Sequence, residues 1–389
     1  MKIMLKSKPR VLIITSSGGG LAHYTCHLQE YLKKYCKLYF VTYKKNYING
    51  DPINKPEDDL IAENIRNPYY LLEHDSPSSL FDVIHLVKKL EIKLVDIQFC
   101  TTAMPVVFYY SLLTKKLKEL GVPVVLTCHD VLQHTLQTHR IESLRLLYDK
   151  TEHFIVGNKS EFRKLTHYFP IAKSRVTIIE HGVYNKFDKG KFTEESARKH
   201  LKLTNKKVIL FFGFLRKYKG ILTLVDAMKF VAEKEKNAVL HLAGSSNVED
   251  IVGEIKIRIK ANNLFKNVKL SNEYIDINGI EALYKASDVV ALPYINISQS
   301  GVLCMSWYFK KPVVVTDIFP EAPLIDRKMG MVVKKNNPKQ LADALLFLLQ
   351  NEDLAQKYGE KGYEYVQKHR SWEKIAEKTF SIFSRYIEK

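Results

Sequence analysis

The sequence has no apolar run long enough to span a bilayer. A membrane-spanning helix needs about 18 apolar residues or more, and the longest candidate, AMPVVFYYSLL at Ala103–Leu113, is too short. The start, MKIMLKSKPRVLIITSS, has basic residues before an apolar run, as a signal peptide does. However, VLIIT has only the length of a strand, and Gly-Gly-Gly follows it in place of a cleavage site. We therefore expect a cytoplasmic protein whose first strand lies near Val11.

Cysteines are few and scattered. There are five of them, an odd number, and no CxxC pair occurs, which argues against a disulfide framework and against a structural zinc site. The sequence also lacks an Asp-x-Asp pair and a Cys, His and Glu cluster, so we expect no metal. No serine has the context of a nucleophile elbow, which weakens any hydrolase interpretation.

Positive charge is in excess. Lys and Arg number 60 against 42 Asp and Glu, a formal charge of +18 that is spread over both halves of the chain. Such an excess suits anionic partners in general, namely nucleotides, phospholipid headgroups or nucleic acid, but an ordinary lysine-rich surface explains it as well. Nucleic acid is disfavoured because no motif interleaves aromatic and basic residues.

Short apolar runs alternate with stretches of helical spacing along the whole chain. Most runs are apolar at consecutive positions, which is typical of parallel strands buried on both faces. The runs are Val11–Thr15, Leu38–Tyr43, Lys93–Phe99, Pro123–Cys128, His153–Asn158, Val176–Gly182, Lys207–Gly213, Ala238–Gly244, Asn267–Ser271, Asp288–Tyr294, Pro312–Asp317 and Gly330–Val333. Helical spacing is clearest in Leu28–Tyr35, Leu112–Leu120, Leu222–Lys234 and Pro338–Gln350.

This alternation predicts an α/β protein with two doubly wound, Rossmann-like domains. The length of 389 residues agrees with two domains. A polar stretch, Asn185–His200, separates the two series, so we expect domains at 1–184 and 185–370 and a C-terminal helix at 371–389. Outside the chain ends, we expect a disordered loop only near Asn46–Asp59.

Ligands of open α/β sheets bind beyond the carboxyl ends of the strands, so the residues after each run are the candidate site. Gly18–Gly20 follow the first strand and suit a close backbone approach to an anion or a hydroxyl, although a simple tight turn explains them as well. His129 follows the fourth run and could bond a hydroxyl or a developing charge. The alternative is a helix cap in which Asp130 is the N-cap.

Two further candidates lie in the second half. Arg216, Lys217 and Lys219 separate a strand from a helix start, where basic residues are unfavourable by about 0.3–1 kcal/mol unless an anion is bound. A diphosphate would explain them, and so would an exposed basic loop. The turn SQSG, Ser298–Gly301, offers two hydroxyls, an amide, and the backbone N–H groups of Ser300, Gly301 and Val302.

In their order and spacing these motifs resemble the GT-B-fold glycosyltransferases of family 4, the retaining "group 1" enzymes, over nearly the whole chain. The segments that carry the resemblance are GGGLAHYTCHLQEYL, TCHD, IIEHGV, FFGFLRKYKG, ASDVVALPYINISQSG with KKPVVVTD, and SWEKIAEKTFSIFSRYI. The resemblance implies that Gly18, Gly19, Gly20 and His23 line the acceptor side and that His129 contacts the donor sugar. It also implies that Arg216 and Lys219 hold the diphosphate, and that the last segment is a helix crossing back onto the first domain.

The chain departs from the family in its donor-binding core. The family usually carries two glutamates eight positions apart, and here those positions are Ser298 and Ser306. The usual arginine position is Phe214, so Arg216 is the expected substitute, whereas Lys219 matches directly. The implied donor site therefore consists of the residues Arg216, Lys219, Ser298, Gln299, Ser300, Gly301, Val302 and Ser306.

We therefore expect a retaining transferase that moves a hexose from a nucleotide-diphosphate sugar to a glycan or a lipid-linked sugar in surface polysaccharide or glycoconjugate synthesis. The nucleotide sugar is a co-substrate, and neither a cofactor nor a metal is expected. A non-catalytic sugar- or nucleotide-binding protein of the same fold is the alternative. Tyr109–Leu120 mixes aromatic, aliphatic and lysine residues and could adsorb to an anionic membrane, although a solvated crossover helix explains it as well.

Overall fold

A computed structural model of the chain describes residues 8–16, 18–44, 46–48, 51–53, 65, 67–73, 76, 78–101, 104–132, 138–246, 250–297 and 300–388. The chain divides into two compact units. The N-terminal unit comprises Met1–Gly182 together with Ser371–Lys389, and the C-terminal unit comprises Val183–Arg370.

The N-terminal unit is built around a parallel sheet. Its strands are β1 Arg10–Ile14, β2 Lys37–Tyr43, β3 Asn46–Ile48, β4 Asp51–Ile53, β5 Tyr69–Leu72, β6 Leu94–Phe99, β7 Val124–Cys128, β8 His153–Val156 and β9 Val176–Ile178. Its first helices are α1 Gly19–Leu32, α2 Ser78–Lys89, α3 Met104–Glu119, α4 Thr138–Tyr148 and α5 Lys159–Tyr168. The strand order of the main sheet is β5-β2-β1-β6-β7-β8-β9, with all neighbours parallel. The order reverses between β1 and β6, so ligands are expected at the carboxyl ends of these strands.

The C-terminal unit repeats the plan. Its helices are α6 Glu194–His200, α7 Ile221–Lys234, α8 Ile251–Ala261, α9 Ile277–Ala286, α10 Gly301–Tyr308, α11 Ala322–Ile325, α12 Pro338–Gln350 and α13 Glu352–His369. Its strands are β10 Lys207–Phe212, β11 Ala238–Ala243, β12 Val268–Ser271, β13 Val289–Leu292, β14 Val313–Thr316 and β15 Gly330–Val333. They form a parallel sheet of order β12-β11-β10-β13-β14-β15, which reverses between β10 and β13.

Each of the predicted apolar runs overlaps a strand, because a strand covered on both faces needs apolar residues at most positions. The structure adds β5, an edge strand whose first two residues are exposed. It also differs from the sequence prediction near Asn46–Asp59, where we expected a disordered loop. Two short strands, β3 and β4, pair there in antiparallel fashion, and residues 54–64 lie outside the described part of the chain.

The last helix, α14 Trp372–Ile387, belongs to the N-terminal unit and packs against α1. The indole of Trp372 stacks on His27, with ring centroids 5.4 Å apart, and meets the edge of Tyr24 at 5.0 Å. A side chain at Gly182 would overlap this indole, so the glycine is required there. An ion pair between Lys34 and Glu373, 2.7 Å long, closes the exposed side of the contact.

Candidate functional site

The predicted glycine turn follows β1 and opens α1. Gly18 is the N-cap and contributes no side-chain cap, and Gly19 has φ +74°, a left-handed conformation that favours glycine. Among the described atoms, nothing lies within 4 Å of the position that a Cβ would take on Gly19 or Gly20. His23 lies one turn further along, half-buried, and its carbonyl accepts a hydrogen bond of 2.7 Å from Nδ1 of His27. The turn is therefore open at the carboxyl end of β1, where a ligand of this sheet would bind.

His129 follows β7 in the same sheet. Its backbone N–H donates to the carbonyl of Phe99, and its Nε2 lies 3.0 Å from Oε1 of Gln98. The ring meets the edge of Tyr24, with centroids 4.8 Å apart. Burial, with a smaller contribution from His181, lowers the pKa of His129 to about 3. The imidazole is consequently neutral at pH 7, and a neutral ring carries one donor and one acceptor.

In the described part of the chain, Asp130 is not the N-cap of a helix, because Val131 and Leu132, which follow it, are not helical. Its carboxylate accepts from the backbone N–H of Thr101 and, at 3.2 Å, from Sγ of Cys100. The next helix among the described residues is α4, which begins only at Thr138. Asp130 therefore ties the end of β7 to the end of β6 and fixes the backbone on which His129 sits.

In the C-terminal unit, the basic turn connects β10 to α7. Lys217–Lys219 form one turn of 3₁₀ helix, and Gly220, with φ +68°, begins α7 in a left-handed conformation. A Cβ on Gly220 would overlap the carbonyl oxygen of Pro293, so no other residue fits. The carbonyl of Tyr218 also accepts from the backbone N–H of Ile295, at 2.8 Å. These contacts fasten the turn to the segment that follows β13, the neighbouring strand.

Lys219 is a buried cation of this unit. Its side chain is buried, with 8% of the residue exposed, and Nζ lies 5.9 Å and 5.6 Å from the ring centroids of Phe211 and Tyr294. Burial, and then the charge of Arg216, lower its pKa to about 8. Among the described residues, no carboxylate forms an ion pair with it. A buried cation without a counter-ion is unfavourable, so this position is suited to an anionic ligand.

The two other basic residues of the turn differ from Lys219. Lys217 is exposed, and its ammonium pairs with Glu254 at 2.7 Å. Arg216 is half-buried, and its guanidinium lies 5.9 Å from the ring centroid of Phe214. The turn therefore contains one surface ion pair, formed by Lys217, and two neighbouring cations, Arg216 and Lys219.

The last two residues of the SQSG segment, Ser300 and Gly301, begin α10. Ser300 is the N-cap, and its hydroxyl accepts from the backbone N–H of Leu303 at 3.2 Å. Gly301 packs on the ring of Tyr184 so closely that a Cβ would overlap it. Ser298 and Gln299, both predicted donor-site residues, lie outside the described part of the chain.

The structure brings the basic turn and the start of α10 together at Gly213. The position that a Cβ would take on Gly213 lies 2.9 Å from Nζ of Lys219 and 3.9 Å from Cγ2 of Val302. Ser306 lies deeper. It is fully buried, and its hydroxyl donates to the carbonyl of Val302 at 2.7 Å. Its hydroxyl is therefore used within the helix, whereas Lys219 and Val302 line one small space.

Sequence reasoning missed several residues of these neighbourhoods. Phe211 and Tyr294 flank the lysine, and Tyr184 covers Gly301, but aromatic residues beside strands carry no distinctive signal. Asp96 and Gln98, in contrast, carry a recognisable sequence signal. They are two polar residues, two positions apart, in the otherwise apolar run LVDIQF, all six residues of which are buried.

Two negative findings hold for the described residues. No group of three or more His, Cys, Asp or Glu side chains is arranged there to hold a metal ion. No described helix combines the length and the apolar composition that crossing a membrane requires.

Comparison with solved structures identifies the architecture as that of the GT-B glycosyltransferases. Anabaena HepE, solved in complex with UDP and glucose, superposes with a TM-score of 0.79 over 97% of this chain and 100% of that chain, at 14% identity. Two Rossmann-like units, each a parallel sheet with helices, are the common feature.

Family models then define the group. The model "Glycosyl transferases group 1" matches residues 192–365, and "Glycosyltransferase Family 4" matches residues 18–185. The chain belongs to the group 1 glycosyltransferases of GT-B fold and is a glycosyltransferase.

Curated relatives are distant. The chain is 28% identical over 180 residues to the phosphatidyl-myo-inositol mannosyltransferase of Mycobacterium leprae, which is 46% of each chain. It is 25% identical over 241 residues to the poly(ribitol-phosphate) alpha-N-acetylglucosaminyltransferase of Staphylococcus aureus, which is 61% of this chain and 47% of the relative. The matches thus span less than half the length of these two relatives.

Proposed function

We propose that this enzyme transfers a hexose from a nucleotide-diphosphate sugar to a glycan or a lipid-linked sugar, with retention of the anomeric configuration. The observation that carries the donor class is Lys219, a buried cation without a carboxylate partner among the described residues, at the start of a helix. The likeness to a structure solved with UDP and glucose supports the same donor class.

The diphosphate fits the charges of this turn. Arg216 presents a planar fork that can bind two phosphate oxygens, whereas Lys219 is a point charge that bonds through its ammonium. Both residues precede the N-terminus of α7, whose dipole attracts the same anion. The backbone N–H groups of Gly301 and Val302, in the first turn of α10, would add donors near Lys219.

Catalysis in this proposal is mainly electrostatic. As the bond between the sugar and the phosphate breaks, negative charge develops on the leaving diphosphate, and preorganised cations stabilise that charge more than they stabilise the substrate. The family's two carboxylate positions are Ser298 and Ser306 here. Arg216 and Lys219 therefore carry the charge stabilisation, and they do so without a divalent metal. His129, neutral and fixed at the end of β7, would bond the donor sugar.

The acceptor class that we propose is supported by the names of two relatives. One of them, by name, acts on a phosphatidyl-inositol lipid and another on a poly(ribitol-phosphate) polymer. A sugar hydroxyl on a lipid-linked or polymeric acceptor, as in the synthesis of surface polysaccharides or glycoconjugates, fits both. The glycine turn of Gly18, Gly19 and Gly20, with His23 beside it, is the proposed acceptor side.

Contact with an anionic membrane is a further part of the proposal, for a cytoplasmic protein. The outer face of α3 exposes Phe108 and Leu112, 57% and 40% exposed, followed by Lys115 and Lys116. Apolar residues next to lysines on one helix face suit the interface of an anionic bilayer. The wild type should co-sediment with phosphatidylglycerol vesicles, whereas the double variant Phe108→Ser/Leu112→Ser should remain in the supernatant. Equal co-sedimentation of the two proteins would contradict the proposed membrane contact.

The donor assignment is tested with a panel of UDP-, GDP-, ADP- and dTDP-hexoses. We expect one of them to bind and to be slowly hydrolysed, with release of the nucleoside diphosphate and, by proton NMR, a sugar that first appears with the donor's anomeric configuration. Binding without release would favour a non-catalytic sugar-binding role, and an inverted sugar would contradict retention.

A further inference from the structure

A buried polar chain runs through the N-terminal unit from Asp96 to His129. Asp96 and Gln98 lie on the same face of β6, and Thr127 lies on the adjacent β7. The carboxylate of Asp96 accepts from Nε2 of Gln98 at 2.6 Å and from Oγ1 of Thr127 at 2.8 Å. Oε1 of Gln98 then lies 3.0 Å from Nε2 of His129. The side chains of Asp96, Gln98 and Thr127 are almost fully buried.

With Asp96 ionised, the donors and acceptors of this chain have only one consistent order. An ionised carboxylate accepts hydrogen bonds but donates none, so Gln98 turns its NH₂ group towards Asp96. Its carbonyl oxygen, which also only accepts, is left facing Nε2 of His129. Nε2 must therefore carry the proton. A neutral imidazole has a single N–H, so the lone pair is on Nδ1.

Burying these polar side chains in the interior of a sheet costs folding free energy. A buried amide or carboxylate is unfavourable unless it is hydrogen-bonded, and apolar residues of similar size would pack there at least as well. The far end of the polar chain is a residue of the proposed donor site. Orientation of a ring nitrogen by a second side chain is a common way to fix a histidine's tautomer.

We propose that Gln98, directed by Asp96, is a positioning residue that holds His129 in the tautomer protonated on Nε2, so that Nδ1 acts as a hydrogen-bond acceptor. The use of that acceptor rests on the proposed function. There, the matching ligand group is a sugar hydroxyl that donates, because a phosphate oxygen cannot. The tautomer itself follows from this unit alone.

The test is heteronuclear NMR of the full chain labelled with ¹⁵N-histidine, at pH 8. Burial raises the pKa of Asp96 to about 7, so its carboxylate is ionised at that pH. His129→Ala identifies the His129 signals. We expect a protonated Nε2, whose proton exchanges slowly with water, and an unprotonated Nδ1. A proton on Nδ1 in the wild type overturns the proposal.

Three variants test whether Gln98 sets the tautomer of His129. Gln98→Leu should lose the slowly exchanging proton, whereas Gln98→Glu, which keeps an acceptor, should retain it and raise the pKa of His129. Thr127→Val is the matched control. It removes a hydrogen bond from the same carboxylate but leaves Gln98 in place, so the His129 signals should stay. Signals that persist unchanged in Gln98→Leu overturn the positioning role.

The measurement needs no substrate, so it is separable from the proposed function. The other histidine signals report whether a variant is folded. If the donor panel binds, turnover should fall in Gln98→Leu and recover in part in Gln98→Glu. If the tautomer is as expected and no nucleotide sugar binds, only the proposed function fails.

Discussion

Lys219 and Lys217 are two lysines of one 3₁₀ turn that should behave in opposite ways. Lys219 is buried without a carboxylate partner in the described chain, and Lys217 is exposed and paired with Glu254. Methionine has the length of the lysine stem without its charge. Lys219→Met is therefore the perturbation, and Lys217→Met is its control on the same backbone.

The effect on stability follows from the pKa of Lys219, which burial lowers from 10.5 to about 8. One pKa unit corresponds to 1.36 kcal/mol, so keeping the charge buried at pH 7 costs about 3 kcal/mol of folding stability. Because the folded-state pKa lies below the unfolded one, this cost is complete below about pH 8 and disappears as the pH rises towards 10.5. Lys219→Met should raise the free energy of unfolding at pH 7, whereas Lys217→Met should change it little, since exposed ion pairs contribute little.

The effect on binding has the opposite sign. A charge-assisted hydrogen bond contributes about 1.5–3 kcal/mol, so Lys219→Met should weaken nucleoside-diphosphate binding by roughly ten- to a hundredfold. The free nucleoside should bind as before. Because the bound diphosphate raises the lysine pKa, wild-type binding at pH 8.5 should take up protons, and Lys219→Met should not.

Calorimetric titration at pH 8.5, in two buffers of different ionisation enthalpy, measures affinity and proton uptake together. Chemical denaturation gives the stability. A Lys219→Met protein that is less stable at pH 7, or that binds the diphosphate and the nucleoside with equal losses, would refute the reasoning. Equal effects of the two lysine variants would refute it as well.

Four other predictions follow from the same structure. Arg216→Ala should weaken diphosphate binding about tenfold or more by calorimetry, and Arg216→Lys should recover only part of the loss, because the planar fork is absent. His129→Ala should lower turnover while its melting temperature stays within a few degrees of the wild type; full activity would contradict its role. A strong chelator should leave transfer unchanged, and loss restored by magnesium or manganese would show a metal requirement. Burial lowers the pKa of His241 from 6.5 to about 4, so its contribution to the free energy of unfolding is complete above pH 6.5 and is lost as the pH falls to 4. The difference between the free energies of unfolding at pH 7 and pH 4, measured by chemical denaturation, should therefore be about 3 kcal/mol smaller in His241→Leu than in the wild type.

Much of the fold could be predicted because burial on both faces leaves a local signal. The consecutive apolar runs of β7 and β14 need no partner to be recognised as strands. The edge strand β5 was missed because its first two residues are exposed and its run is short. The β3–β4 pair was missed for a similar reason, since NYI and DPI have only three residues each and are too short to show a periodicity.

The candidate site was predictable only in part. The basic turn follows β10, and Ser300 and Gly301 follow β13, so their places beyond the carboxyl ends of these strands could be inferred. That Lys219 is buried between two rings, whereas Lys217 is exposed, depends on contacts between elements far apart in the sequence. The same is true of Gln98, whose link to His129 needs the register of β6 and β7.

The central claim is that this glycosyltransferase uses a nucleotide-diphosphate sugar whose diphosphate is held by Lys219. The most direct measurement is the release of nucleoside diphosphate from the panel of nucleotide hexoses by the wild type, Lys217→Met and Lys219→Met side by side. We expect one donor to be consumed by the wild type and by Lys217→Met, and at least tenfold more slowly by Lys219→Met. Release by no protein from any donor, or equal release by all three, would contradict the claim.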